Sequence, residues 1–310
     1  MQVYDNVLGT IGRTPLVRIN RVVENKKASL YVKLEGQNPG GSVKDRIALS
    51  MVEAAERDGV LTSDKIILEP TSGNTGLGLA IVALIKGYQL HVTMSAAMSE
   101  ERKNMLLALG ATLILTDPTK GTDGAILKAR AMLKEEPNKY WQPDQFNNSA
   151  NPDVHYHTTA EEIWSDLDGN VDAFVAGLGT SGTVMGAGKR LRELNPDVRI
   201  VAVEPILGHK IQGLKNMKEA IVPGIYSEDG WTEKIVVEDD DCHEYSRRLS
   251  SEEGIFAGMS AGAAFYAAVQ ITEKMEKGNV VCIIPDRGEK YLSTTLFKLE
   301  DKAGRIIKAY

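Results

Sequence analysis

Cysteine is almost missing from this chain. Only Cys242 and Cys282 occur in 310 residues, and neither has partners at metal-ligand spacing. A disulfide framework is therefore excluded. One chance disulfide stays open, but two free thiols in a reducing compartment are the expectation. A basic face is lacking too: 36 Lys and Arg stand against 42 Asp and Glu, for a formal net charge of -6. Nucleic acid is not an expected partner of such a surface. Nor is a membrane, since the longest apolar run, residues 77–85, is about half of what a span requires. The opening Met1-Gln2-Val3-Tyr4-Asp5 lacks the basic and apolar regions of a signal peptide. The expected location is the cytoplasm.

What is present is an ordinary globular balance, 43% hydrophobic and 25% charged, in a chain long enough for one large core or two domains. Short apolar segments at 30–34, 66–69, 89–94, 112–115, 173–176, 199–203 and 280–284 read as strands. Between them, 45–57, 76–85, 99–109 (Ser99 as N-cap), 123–133, 158–164, a segment running to 194, 242–251 and 262–275 read as helices. Alternating strands and helices with buried short strands predict the α/β class with parallel sheets. Asn147-Asn148-Ser149-Ala150-Asn151-Pro152 is the expected domain junction. Met94, Met98 and Met105 read as core. The acidic run 238–241 reads as a helix start rather than a calcium site, and His155 and His157 lack partners for a metal.

Lys44 stands out by its surroundings, Pro39-Gly40-Gly41-Ser42-Val43-Lys44-Asp45-Arg46. Two glycines precede it and an apolar helical pattern follows, so its amine sits at a loop-to-helix junction where a ligand can be held. A lysine that loses solvent is neutralised readily, which suits Schiff-base chemistry. Three further glycine loops lie where a strand hands over to a helix, the usual ligand position in open α/β sheets. Thr71-Ser72-Gly73-Asn74-Thr75-Gly76 gathers N–H groups and hydroxyls into an anion site, with a capped tight turn as an equal reading. Gly179-Thr180-Ser181-Gly182-Thr183 suits a small phosphorylated ligand; without a Walker lysine or a dinucleotide fingerprint, a nucleotide is disfavoured. Gly258-Met259-Ser260-Ala261-Gly262-Ala263 is a weaker signal.

Together these segments resemble the cysteine synthase and cystathionine β-synthase family of fold-type II pyridoxal-phosphate (PLP) enzymes, nearest the B-type cysteine synthases. The resemblance spans nearly the whole chain. It runs through Gly9-Thr10-Ile11-Gly12-Arg13-Thr14-Pro15-Leu16-Val17, Gly41-Ser42-Val43-Lys44-Asp45-Arg46, Glu69-Pro70 and the loop after it, Asp144-Gln145-Phe146-Asn147-Asn148, Gly179 to Thr183, and Arg287-Gly288-Glu289-Lys290-Tyr291-Leu292-Ser293-Thr294. It implies two α/β domains with twisted, mostly parallel sheets: a smaller mobile substrate-binding domain at 37–148 and a larger PLP-binding domain at 1–36 and 149–310. The cofactor it implies is pyridoxal 5'-phosphate, joined to Lys44. Asn74 is then expected at the pyridoxal hydroxyl, Gly179, Thr180, Ser181, Gly182 and Thr183 at the phosphate, and Thr71, Ser72, Gly73, Thr75 and Gln145 at the substrate carboxylate. The implied reaction is a β-replacement through an aminoacrylate, in which an activated serine and sulfide or a related sulfur donor give L-cysteine. The alternative is a cystathionine β-synthase-like or cysteine-consuming, sulfide-releasing enzyme. The absence of a haem-binding extension or of a domain beyond Tyr310 disfavours the animal-type synthase. A homodimer is implied, and nothing in the sequence indicates a docked serine acetyltransferase.

The chain departs from the A-type pattern at two places. Asp286 stands where those synthases carry the Ser that faces the pyridine nitrogen; Ser260, matching the Gly-x-Ser-x-Gly turn of the B-type group, is the expected partner, with Asp286 as rival. The segment Gln212-Gly213-Leu214-Lys215-Asn216-Met217-Lys218 replaces a glycine-rich stretch, and Lys215 is expected to hold an anionic leaving group or nucleophile, with a surface lysine as an equal reading. Ser95, where the family usually has Pro, is neutral for chemistry.

Overall fold

The computed structural model describes residues 3–71 and 73–297. Its strands are β1 (Leu16–Arg18), β2 (Ala28–Leu34), β3 (Ile66–Pro70), β4 (Gln89–Ser95), β5 (Thr112–Thr116), β6 (Tyr140–Trp141), β7 (Ala173–Gly177), β8 (Arg199–Pro205), β9 (Glu233–Val237) and β10 (Gly278–Ile284). The α-helices are α1 (Lys44–Arg57), α2 (Asn74–Lys86), α3 (Glu100–Ala108), α4 (Gly121–Glu135), α5 (Ala150–Val154), α6 (Ala160–Asp166), α7 (Gly182–Leu194), α8 (Asp239–Glu253) and α9 (Met259–Lys274). A π-helical turn, His155–Thr159, joins α5 to α6.

Two sheets organise these elements. One has the order β1-β2-β10-β7-β8-β9, parallel except for the antiparallel β1–β2 pair; the other is parallel throughout, in the order β5-β4-β3-β6. The α/β class with twisted, mostly parallel sheets is the expected one. The inner strands of the larger sheet are apolar on both faces because helices cover both. Val280, Cys282 and Ile284 of β10 face one core with α8 and α9, while Val281 and Ile283 face a second with α6 and α7. Side chains alternate across a strand, so a strand buried on both faces must be hydrophobic at every position. In the smaller sheet, Leu68, Val92 and their neighbours pack beneath α1, α2 and α4, and α1 turns Ile47, Ala48, Met51, Val52 and Ala55 inward.

Several boundaries differ from the sequence reading. β1, β6 and β9 were not anticipated: β1 and β6 are too short to show a period, and β9 is a half-polar edge strand. Helix α9 begins at Met259 rather than 262, which puts Ser260 in its first turn. Ser99 sits at the N-cap of α3, but its hydroxyl makes no capping bond. The acidic run opens α8. Cys242 and Cys282 are both free and buried.

Candidate active site

The site forms where the C-terminal ends of β3, β7 and β10 meet the start of α1. Lys44 is the first residue of α1, and its approach is anchored to the end of β10: Val43 N donates to Pro285 O at 2.8 Å, and Ser42 bridges to Asp286. A cavity of about 270 Å³ is lined by Lys44, Thr71, Gly73, Asn74, Thr75, Gln145, Phe146, Gly179, Thr180, Thr183, Lys215 and Ser260. Residues as far apart in sequence as Lys44 and Ser260 thus share one wall, at the strand ends where such sheets bind ligands. Ser181 and Gly182 lie behind the lining, and Ser72 falls outside the described residues. A second cavity of about 690 Å³ adjoins it through Gly73, Asn74, Thr122, Gly213 and Leu214. Met105 lines that outer cavity and is 38% exposed, which corrects its reading as core; Met98 also lines it but packs against the core that contains fully buried Met94.

Burial holds the Lys44 amine below the ordinary lysine range, with the Asp286 and Glu35 carboxylates pulling the other way. An amine partly freed of its proton can attack a carbonyl and accept a proton. The helix carrying Lys44 is held by Arg46, whose guanidinium binds Glu35 through Nε (2.7 Å) and Nη2 (2.8 Å) and Glu162 through Nη1 (2.7 Å) and Nη2 (2.8 Å). Lys33 joins Glu162 at 3.1 Å. This buried cluster ties α1 to β2 and α6.

Around the first loop, Thr75 Oγ1 donates to Gln145 Oε1 at 2.8 Å, and Gln145 Nε2 donates to Glu69 Oε1 at 3.0 Å. Asn151 Nδ2 donates both to the Gln145 carbonyl (2.7 Å) and to Thr180 Oγ1 (3.1 Å), so the first loop and the Gly179 loop share one network. Burial pushes the Glu69 carboxyl up to about 8, although Gln145 donates to it.

The Gly179 loop fits a phosphate. Ser181 takes a left-handed backbone (φ 71°) just before α7, and its buried hydroxyl has no partner within the protein. The first turn of α7 follows directly, where helix N–H groups lack intrahelical acceptors. Gly182 is required at this place, because a Cβ there would lie 1.9 Å from Asn151 Oδ1. Behind the loop, the π turn aims buried His155 so that Nε2 pairs with Thr183 Oγ1 at 3.2 Å and Nδ1 with Thr159 Oγ1 at 2.9 Å. An orphaned hydroxyl, helix N–H donors and a nearby amine match the phosphate and carbonyl ends of pyridoxal 5'-phosphate.

Ser260 and Asp286 are placed differently. Ser260 lines the cavity. Asp286, 1% exposed, does not: Oδ2 accepts from Asn74 Nδ2 (2.7 Å) and Tyr291 OH (2.6 Å), and Oδ1 has no partner. Burial raises the Asp286 carboxyl above its usual range, against the bonds from Tyr291 and Asn74. Lys215 points inward, its Nζ 4.5 Å from the Phe146 ring centroid, and burial lowers its amine. Glu69, Lys290 and Tyr291 lie in segments that carry the resemblance and Asn151 in the expected domain junction, but the sequence assigns none of them a site role, because each reaches the site through hydrogen bonds that lead to residues distant in sequence. Among the described residues, no group of His, Cys, Asp and Glu is arranged to hold a metal ion, and no helix is long and apolar enough to cross a membrane.

An α/β fold with a desolvated lysine beside two loops of small and hydroxyl-bearing residues at its strand ends suits an enzyme that works through a phosphorylated carbonyl cofactor. The chain belongs to the pyridoxal-phosphate dependent enzyme family, whose model matches residues 7–286, and its cofactor is pyridoxal 5'-phosphate. It is 48% identical over 309 residues to a cysteine synthase of Staphylococcus aureus, covering 96% of this chain and 98% of that one. The structure of a cysteine synthase from Entamoeba histolytica superposes with a TM-score of 0.93 at 41% identity, covering 97% of this chain and 93% of the other. That of a hydrogen sulfide-producing enzyme from Fusobacterium nucleatum superposes with a TM-score of 0.89 at 42% identity, covering 94% and 99%.

Proposed function

We propose that this protein is a PLP-dependent cysteine synthase that replaces the leaving group of an activated serine, O-acetylserine or O-phosphoserine, with sulfide or a related donor. The observation that carries the reading is the single cavity in which Lys44 faces both anion-binding loops. Bound pyridoxal 5'-phosphate supplies the electron sink for the carbanion left when a proton departs from Cα. Lys44 would hold the cofactor's carbonyl end, and its amine, with a proton affinity lowered by burial, would carry the Cα proton. Thr71, Ser72, Gly73, Thr75 and Gln145 receive the substrate carboxylate, and the Gln145–Glu69 bond orients the amide that does so. Gly179 to Thr183 would hold the phosphate, Asn74 would meet the ring hydroxyl, and Ser260 would donate to the ring nitrogen. A hydroxyl there would leave the nitrogen uncharged, which favours elimination over transamination. Lys215 binds an anionic leaving group or donor.

Residues 37–148 act as the smaller mobile domain and close over the carboxylate to exclude water. The working form is a cytoplasmic homodimer. Because a sulfide-producing enzyme superposes with a TM-score of 0.89 at 42% identity, against 0.93 and 41% for a cysteine synthase, cysteine-consuming sulfide release is the second reading.

The test is a spectral titration of the purified holoenzyme with O-acetylserine, O-phosphoserine, serine and cysteine, with cysteine and sulfide measured as products. Cysteine from an activated serine plus sulfide supports the synthase; sulfide from cysteine alone moves the assignment to the second reading. Lys44→Ala is expected to lose borohydride trapping of the cofactor and turnover by about 10²–10⁴-fold or more. A colourless protein, unreactive to borohydride, would overturn both readings.

A further inference from the structure

The two ends of an asparagine amide have nearly the same shape, and only their partners tell them apart. At Asn74 both ends are engaged. Oδ1 accepts from Lys290 Nζ at 2.7 Å, and Nδ2 donates to Asp286 Oδ2 at 2.7 Å. An ammonium can only donate, so the oxygen must face Lys290. The remaining Nδ2 proton is left for the cavity that Asn74 lines. Lys290 Nζ also donates to the carbonyls of Gly40 (3.0 Å) and Gly41 (3.1 Å), so all three ammonium protons are used. Gly41 takes a left-handed backbone (φ 75°) in the turn that leads to Lys44. One side chain from the segment after β10 therefore grips both the approach to Lys44 and the amide of Asn74.

We propose that Lys290 is a positioning residue that holds Asn74 as a hydrogen-bond donor toward the cofactor and fixes the glycine turn before Lys44. This rests on the reading that places Asn74 at the ring hydroxyl. Without the ammonium, the bond to Asp286 Oδ2 is left as the one named contact that fixes which end of the amide faces an oxygen that needs a donor. Each ammonium bond is charge-assisted and lies in a partly buried setting, so its loss is felt at the site rather than replaced by water.

The experiment compares wild type, Lys290→Met, Lys290→Arg, Asn74→Ala and the Lys290→Met/Asn74→Ala double variant as holoenzymes. Three quantities are read: the rate of cofactor loss on dialysis, the pH dependence of the visible absorbance, and the melting temperature. Lys290→Met and Asn74→Ala are each expected to speed cofactor loss about tenfold and to shift the absorbance midpoint in the same direction. In the absorbance midpoint the double variant should match Asn74→Ala alone, because Lys290 acts on the cofactor ring through that amide, while loosening of the glycine turn is read in the melting temperature. Lys290→Arg should recover most of the wild-type spectrum. Additive shifts of the absorbance midpoint in the double variant, or a wild-type spectrum in Lys290→Met, would overturn the inference. If Asn74→Ala itself leaves spectrum and cofactor loss unchanged, the placement of Asn74 fails first and takes the inference with it. Should Lys290→Met not fold, Lys290→Gln replaces it, and the same non-additivity is required.

Discussion

Asn74 Nδ2 donates to Asp286 Oδ2 at 2.7 Å, a bond between the first residue of α2 and the second residue after β10. It spends the Asp286 carboxylate inside the protein, where Tyr291 OH claims the same oxygen at 2.6 Å. Ser260, 6% exposed, remains the side chain of the pair on the cavity wall. Ser260→Ala is therefore expected to shift the cofactor's visible spectrum and slow elimination, while Asp286→Asn lowers the melting temperature by loosening two hydrogen bonds. Absorbance spectra and stopped-flow elimination rates check this. An unchanged spectrum and rate in Ser260→Ala would sink the assignment.

Lys215 Nζ reaches the inner cavity alongside Phe146, where an anion can pair with it in low dielectric. Lys215→Ala should reduce kcat/KM for O-phosphoserine about tenfold more than for O-acetylserine. Equal losses for the two substrates would mean that the amine serves neither leaving group selectively.

Arg46 is buried and engages Glu35 and Glu162 at once. Removing one partner of such a cluster leaves charges unpaired in the interior, so Arg46→Met is expected to destabilise the fold by about 3–5 kcal/mol in urea denaturation. Burial alone would raise the Glu162 carboxyl, but Arg46 holds it down at about 2. A carboxyl with a lowered folded pKa stabilises above its unfolded value of 4.5 and loses that contribution as pH falls toward 2. Wild type should show this acid-side loss, and Arg46→Met should show much less of it.

Glu69 has the opposite sign. Burial lifts its carboxyl to about 8, so the folded state holds a proton that the unfolded chain releases near 4.5. Stability then declines as pH rises from about 4.5 to 8 and levels off above that. Glu69→Gln keeps an acceptor for Gln145 Nε2 and carries no charge, so it should melt higher than wild type at pH ~9 and close to it at pH ~5. Melting curves of identical pH slope for the two proteins would rule out a buried proton on Glu69.

Much of the architecture was legible because it is written locally. Strands such as 280–284, buried on both faces, had to be continuous apolar runs, and helices such as α1 had to show a 3.6-residue stripe. The glycine turn before Lys44 and the loops at Thr71 and Gly179 were visible because backbone that bends sharply at a helix start needs small or hydroxyl-bearing residues. Short edge strands such as β6 were not visible, since two residues carry no period. Nor was the π turn at His155, which turns on packing against α7 rather than on composition.

The sequence by itself determined the class of fold, an amine at a loop-to-helix junction, and glycine loops at helix starts in the order of a known enzyme family. The tertiary structure decided which side chains face the same space. Asn74, Asp286 and Lys290 meet across more than 200 residues of chain, and their hydrogen bonds turn Asp286 inward and leave Ser260 on the cavity wall. Contacts of that separation are set by how the strand ends converge, and no local pattern of residues records them.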